Sequence, residues 1–110
     1  MSSPRPTAPD LAAAPPRAMD ATLAGYAWLP RMLDKARASR AGTLGHYRYP
    51  CPIDQRCLAG LGVAPEAFAD LAVRLDDAAV VEALRDLGVP GAQECWFDAV
   101  ALEHRLLHGL

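Results

Sequence analysis

A chain of 110 residues supports one modest core, because folding at this length removes only about two thirds of the unfolded surface from water. Thirteen acidic against eleven basic residues, a net charge of -2, leave no basic face for nucleic acid, and no apolar run approaches the roughly 20 residues that cross a bilayer. The chain is 52% hydrophobic but only 6% aromatic, so Ala, Leu and Val must fill the core, a composition that favours helix over strand.

The first 19 residues hold five of the ten prolines, which forbids a continuous helix there. Pro9, Asp10, Pro15 and Pro16 also interrupt any apolar leader core, so the expected compartment is the cytoplasm. The odd cysteine count, three, fits a reducing environment. Residues 1–9 read as disordered, and residues 10–19 as an extended arm that Leu11 and Met19 anchor. Residues 20–110 form the single domain.

Within that domain, Leu23 to Trp28 reads as a short helix or as a turn centred on Gly25. Leu29 to Ser39 is a helix: Pro30 suits a first turn, Leu29, Met32, Leu33 and Ala36 recur at helical spacing, and Gly42 supplies the stop. His46 to Pro52 holds prolines at 50 and 52, which exclude both helix and central strand, leaving an irregular loop or one short edge strand. A helix follows over Ile53 to Leu61, with Ile53, Cys57, Leu58 and Leu61 on its apolar face. Another begins near Pro65 and turns Phe68, Leu71 and Ala72 inward. Asp76 or Asp77 caps a third, which buries Val80, Val81, Leu84 and Leu87. After the break at Gly88, Pro90 and Gly91, a last helix is expected over Ala92 to Leu107. The expected fold is mostly α, a compact array of four or five short helices with an extended proline-rich arm and one irregular Tyr/Pro loop.

Functional side chains concentrate between Arg31 and Arg56. Arg31, Asp34 and Lys35 lie three and four residues apart and share a helix face, with Arg37 on a neighbouring one. His46, Tyr47, Arg48, Tyr49, Cys51, Asp54 and Arg56 follow. If the loop folds back over the helix, these cations converge into a site for a carboxylate or phosphate, since guanidinium groups grip such anions through paired hydrogen bonds. Arg31, Lys35, Arg37, Tyr49, Asp54 and Arg56 are then the binding residues, and Asp34, His46, Tyr47 and Cys51 the candidates for catalysis. The same residues also suit an exposed helix face with ordinary ion pairs beside a loop tied down by tyrosine hydroxyls.

Cys51 lies beside His46 and Arg48, where a thiolate nucleophile would find cations. Cys57 and Cys95 read as packing residues, as do Trp28 and Trp96. His104 and His108, four apart on the last expected helix, are metal candidates; histidine near a helix C-terminus also suits the dipole. No Gly-rich phosphate loop, dinucleotide fingerprint or zinc-cysteine spacing is present, and no cofactor is implied.

Asp10-Leu11, Pro15-Pro16-Arg17, Gly25-Tyr26, the run from Leu29-Pro30-Arg31 through Ala38, and Gly42-Thr43-Leu44-Gly45 form one set of motifs. Tyr47, Tyr49 and Cys51-Pro52-Ile53-Asp54 form a second. In this order they resemble a bacterial family of uncharacterised small proteins catalogued as a domain of unknown function, number five thousand and sixty-nine. The likeness spans residues 10–63 and fades past Val63. It implies no catalytic role, but it favours a real site in the 31–56 segment.

Three readings of function follow: a binding protein or small enzyme for an anionic metabolite, a non-enzymatic adaptor or homo-oligomer, and a thiol- or metal-dependent catalyst using Cys51 or His104 and His108. The first is preferred.

Overall fold

The computed structural model describes residues 6–89. The expected last helix, with Cys95, Trp96, His104 and His108, lies outside the described residues. Within them the chain is mostly helical. Strands β1 (Thr22–Leu23) and β2 (Tyr26–Ala27) precede four helices, α1 (Leu29–Ala41), α2 (Pro52–Leu61), α3 (Pro65–Arg74) and α4 (Asp77–Asp86).

Where the sequence suggests a short helix or a turn, residues 22–27 form a minimal antiparallel hairpin, pairing Thr22 with Ala27 and Leu23 with Tyr26. Its two turn residues, Ala24 and Gly25, both have positive φ, 53° and 85°, the backbone twist that two-residue hairpins require. Trp28 then opens α1 from the left-handed region at φ 75°, a conformation that costs a non-glycine residue about 1–3 kcal/mol. That cost is met by the fixed surroundings of its indole.

Helix α1 is the centre of the array and packs most extensively on α3. Leu29, Met32, Leu33 and Ala36 join Ile53, Leu58, Leu61, Phe68, Ala72, Val80 and Leu84 in one core. The helix ends where Gly42 turns at φ 74° and the Thr43 N–H closes on the Ala38 carbonyl at 2.9 Å. Leu87, expected inward on α4, is exposed instead, because that helix ends at Asp86 and the chain turns away through Gly88.

Each later helix starts as its sequence dictates. Cys51 caps α2 in a reciprocal arrangement: its sulfur accepts from the Asp54 N–H, and the Asp54 carboxylate accepts from the Cys51 N–H. Proline stands in the first turns of α2 and α3. Asp76 caps α4, accepting from the Ala79 N–H at 2.9 Å. Asp77 is thereby released for other partners.

The proline-rich arm lies against this array. Leu11 is buried and its N–H reaches the Thr43 carbonyl at 2.8 Å, while the Thr43 hydroxyl donates to the Pro9 carbonyl at 2.7 Å. Pro16 is buried, and Met19 packs on the core.

Candidate functional site

The arm and the Tyr/Pro loop wrap α1, and the polar face that the sequence suggests for it is largely enclosed. Lys35 and Arg37, expected to share a solvent-facing anion site, are only 4% and 5% exposed. Most of the segment's charged groups are divided among three places.

The first is a buried network at the N-terminus of α2. Asp54 is fully buried and accepts from the Trp28 indole N–H at 2.7 Å, from Lys35 Nζ at 2.8 Å and from the Cys51 N–H at 3.0 Å. Lys35 Nζ also donates to Cys51 Sγ at 3.3 Å and lies 5.6 Å from the Trp28 ring centroid. A buried charge needs such compensation. Lys35 and Asp54 balance each other, and the half-buried Cys51 sulfur serves as a hydrogen-bond acceptor and helix cap. Cys57, on the apolar face of α2, is buried, and burial pushes its thiol well above the ordinary range.

The second place is a clamp that ties the arm to two helices. The Arg17 side chain donates to both oxygens of Asp34, at 3.1 Å each, and reaches Asp77 at 2.6 Å. The Arg17 N–H adds a bond to Asp34 at 2.8 Å. Arg37 meets the same Asp77 at 2.9 Å and donates to the Ala72 and Leu75 carbonyls at the end of α3. The hydrogen bond from Arg17, and then that from Arg37, hold the Asp77 carboxyl below its ordinary range, and Asp77 in turn holds Arg17 above its own. Asp34, a candidate for proton transfer, is therefore engaged by two bonds from an arginine side chain. Arg17 shows in the sequence only through its place directly after Pro15-Pro16, two prolines that stiffen the chain presenting it.

The third place surrounds Arg31. Its guanidinium lies 5.3 Å from the Trp28 ring centroid and 5.6 Å from that of Tyr47, and His46 stacks on Tyr47 at 4.6 Å. Arg31 Nη1 donates to the Arg17 carbonyl at 3.2 Å, whereas its buried Nε has no hydrogen-bond partner among the described residues. Arg31 lines a cleft of about 450 Å³ with Pro15, Pro16, Ala18 and Met19 of the arm and with Asp20 directly after it.

The remaining candidates lie elsewhere. The Tyr49 hydroxyl donates to the Pro65 carbonyl at 2.7 Å, and burial pushes its phenol up. Tyr49 borders a separate cleft of about 410 Å³ with Ser39, Arg40, Pro50 and Glu66. Arg40 pairs with Asp70 at 2.7 Å. Arg48 and Arg56 are exposed. The loop thus brings Tyr47 and Cys51 to α1, beside Arg31 and Lys35 respectively, but does not gather Asp34, Arg37 and Tyr49 with them. Among the described residues no three His, Cys, Asp or Glu side chains cluster as metal ligands, and no helix is long and apolar enough to cross a membrane.

No curated protein matches the chain. A family model described as a domain of unknown function (DUF5069) matches residues 13–96, so the likeness carried by the motifs up to Val63 continues through α3 and α4. The matched region includes Arg17, Trp28, Arg31, Lys35, Cys51, Asp54 and Asp77, and the chain belongs to the DUF5069 family.

Proposed function

We propose that this protein binds a small anionic metabolite in the cleft between the arm and α1, with Arg31 as the group that grips it. The carrying observation is the buried Arg31 Nε, which lacks a hydrogen-bond partner among the described residues although its guanidinium is fixed by Trp28, Tyr47 and the Arg17 carbonyl. Leaving a buried donor unsatisfied costs about 1–3 kcal/mol, and a small shift of the Arg31 side chain that opens Nε to a carboxylate or phosphate in the cleft recovers it. The volume of about 450 Å³ falls within the range of small-molecule sites, and four of the six lining residues are apolar. Lys35 and Arg37 are engaged in internal ion pairs and support the fold around the site.

The test is a thermal-shift series with 4-methylpentanoate, phenylacetate and inorganic phosphate, on wild type and on Arg31→Met. The reading expects at least one of these anions to raise the wild-type Tm progressively with concentration and to leave Arg31→Met unmoved. Equal stabilisation of both proteins, or none of either, defeats it.

A further inference from the structure

The Arg31 cleft contains a second charge. Asp20 lines it, opposite in sign to Arg31, and the other lining residues are Pro15, Pro16, Ala18 and Met19. Asp20 has no hydrogen-bond or ion-pair partner among the described residues, a state it shares only with Asp86 among the described aspartates, and Asp86 does not line this cleft. Arg31 and Asp20 do not pair with each other either: the ion pairs found run from Arg17, Lys35, Arg37 and Arg40 to other carboxylates.

Two opposite charges that share an apolar-walled cleft without touching are complementary to a molecule carrying the reverse pair. A simple carboxylate would satisfy Arg31 but bring its own negative charge towards Asp20. An ammonium group on the same molecule turns that repulsion into attraction. We infer that the cleft takes a small zwitterion with an apolar body, an amino acid or short peptide, whose carboxylate meets Arg31 and whose ammonium group meets Asp20. This rests on the reading of the cleft as an anion site and adds to it the chemical class of the ligand. Specificity then comes from Asp20, because Arg31 alone would accept any anion of the right size.

The experiment is isothermal titration calorimetry of the full chain with ligands that share one apolar body. L-leucine carries both charges, 4-methylpentanoate only the carboxylate, and 3-methylbutylamine only the ammonium group; L-leucyl-glycine carries both charges farther apart. The expected result is that leucine or leucyl-glycine binds wild type about fivefold more tightly than 4-methylpentanoate, as an additional partly exposed ion pair supplies. That advantage disappears in Asp20→Asn, an exposed position whose replacement leaves the Tm unchanged. Preference for the dipeptide over leucine would assign the site to peptide termini, and the reverse preference to free amino acids. If 4-methylpentanoate binds as tightly as either zwitterion and Arg31→Met abolishes all binding, the inference falls while the anion site stands. If none of the four ligands binds, the zwitterion inference falls, and the anion site falls with it unless phenylacetate or phosphate stabilises wild type and not Arg31→Met.

Discussion

Asp54 holds the Lys35 ammonium group at 2.8 Å where neither side chain reaches solvent, joining the first turn of α2 to the middle of α1. The pair also fixes the Trp28 indole and the Cys51 N–H, so one carboxylate sets the position of the hairpin, the central helix and the Tyr/Pro loop together. Removing one partner of such a pair leaves the other charge buried and uncompensated, at a cost on the order of 3–5 kcal/mol. Asp54→Asn is expected to lower the urea unfolding free energy by about 3 kcal/mol on this basis, and adding Lys35→Met should restore at least half of the loss. A double variant no more stable than Asp54→Asn alone would show that the pair is not the source of the cost.

The Arg17 clamp gives a defined pH dependence. Asp77 has a folded pKa below its ordinary value of 3.8, chiefly through its hydrogen bond to Arg17. A depressed carboxyl pKa adds stability that is fully present above the unfolded value and is lost as pH falls through the folded one. Because the carboxylate is partly exposed, the contribution is small, about 1 kcal/mol. Wild type should therefore exceed Asp77→Asn in stability by a constant margin from pH 7 to about 5, and the margin should shrink below about pH 4. Denaturant unfolding of both proteins at pH 7 and at the acid end measures it; a margin that grows on acidification would contradict the clamp.

The two cysteines of the described region should differ in reactivity. Cys57 is buried and its thiol is pushed up by that burial, so it stays protonated and inaccessible at neutral pH. Cys51 is half-buried at the start of α2. Iodoacetamide applied to the folded protein should label Cys51 well before Cys57, as read by peptide mass mapping. Prompt labelling of Cys57 would place that residue at the surface and contradict the core.

Docking of the arm depends on Gly45. Its φ is +60°, and a Cβ added there would come within 3.0 Å of the Ala12 backbone. Gly45→Ala combines left-handed strain with a backbone clash and should cost about 1–2 kcal/mol. The Leu11 amide, bonded to the Thr43 carbonyl, should exchange its hydrogen faster in the variant than in wild type. Unchanged exchange would show that the arm is held without this close approach.

Much of the scaffold is legible in the sequence because its signals are local. Pro30 and Gly42 bracket α1, Pro65 opens α3 and an aspartate caps α4, while α2 starts one residue before the expected Ile53, at Pro52 in the first turn behind the Cys51 cap. The hairpin is less legible, since strands of two residues have no periodicity and Ala24 takes a conformation usually left to glycine or asparagine. The polar face of α1 misleads for a different reason. Arg31, Asp34, Lys35 and Arg37 read as one solvated surface only if nothing covers them, and what covers them comes from far along the chain: Arg17 and Asp77 on one side, Tyr47 and Asp54 on the other. Helical spacing records neither contact. Arg31 emerges as the anchor because it is the one of these groups with a buried polar atom left unpartnered among the described residues.

The most direct test of the Arg31 site is a two-dimensional NMR spectrum of arginine Nε–Hε groups in 15N-labelled protein, recorded as L-leucine and 4-methylpentanoate are titrated in. One resonance, identified by its loss in Arg31→Lys, is expected to shift progressively and saturate, while those of Arg17, Arg37 and Arg40 stay in place. A saturating shift at Arg40 instead, or no saturating shift at any arginine with either ligand, would contradict the assignment of the cleft between the arm and α1 as the binding site.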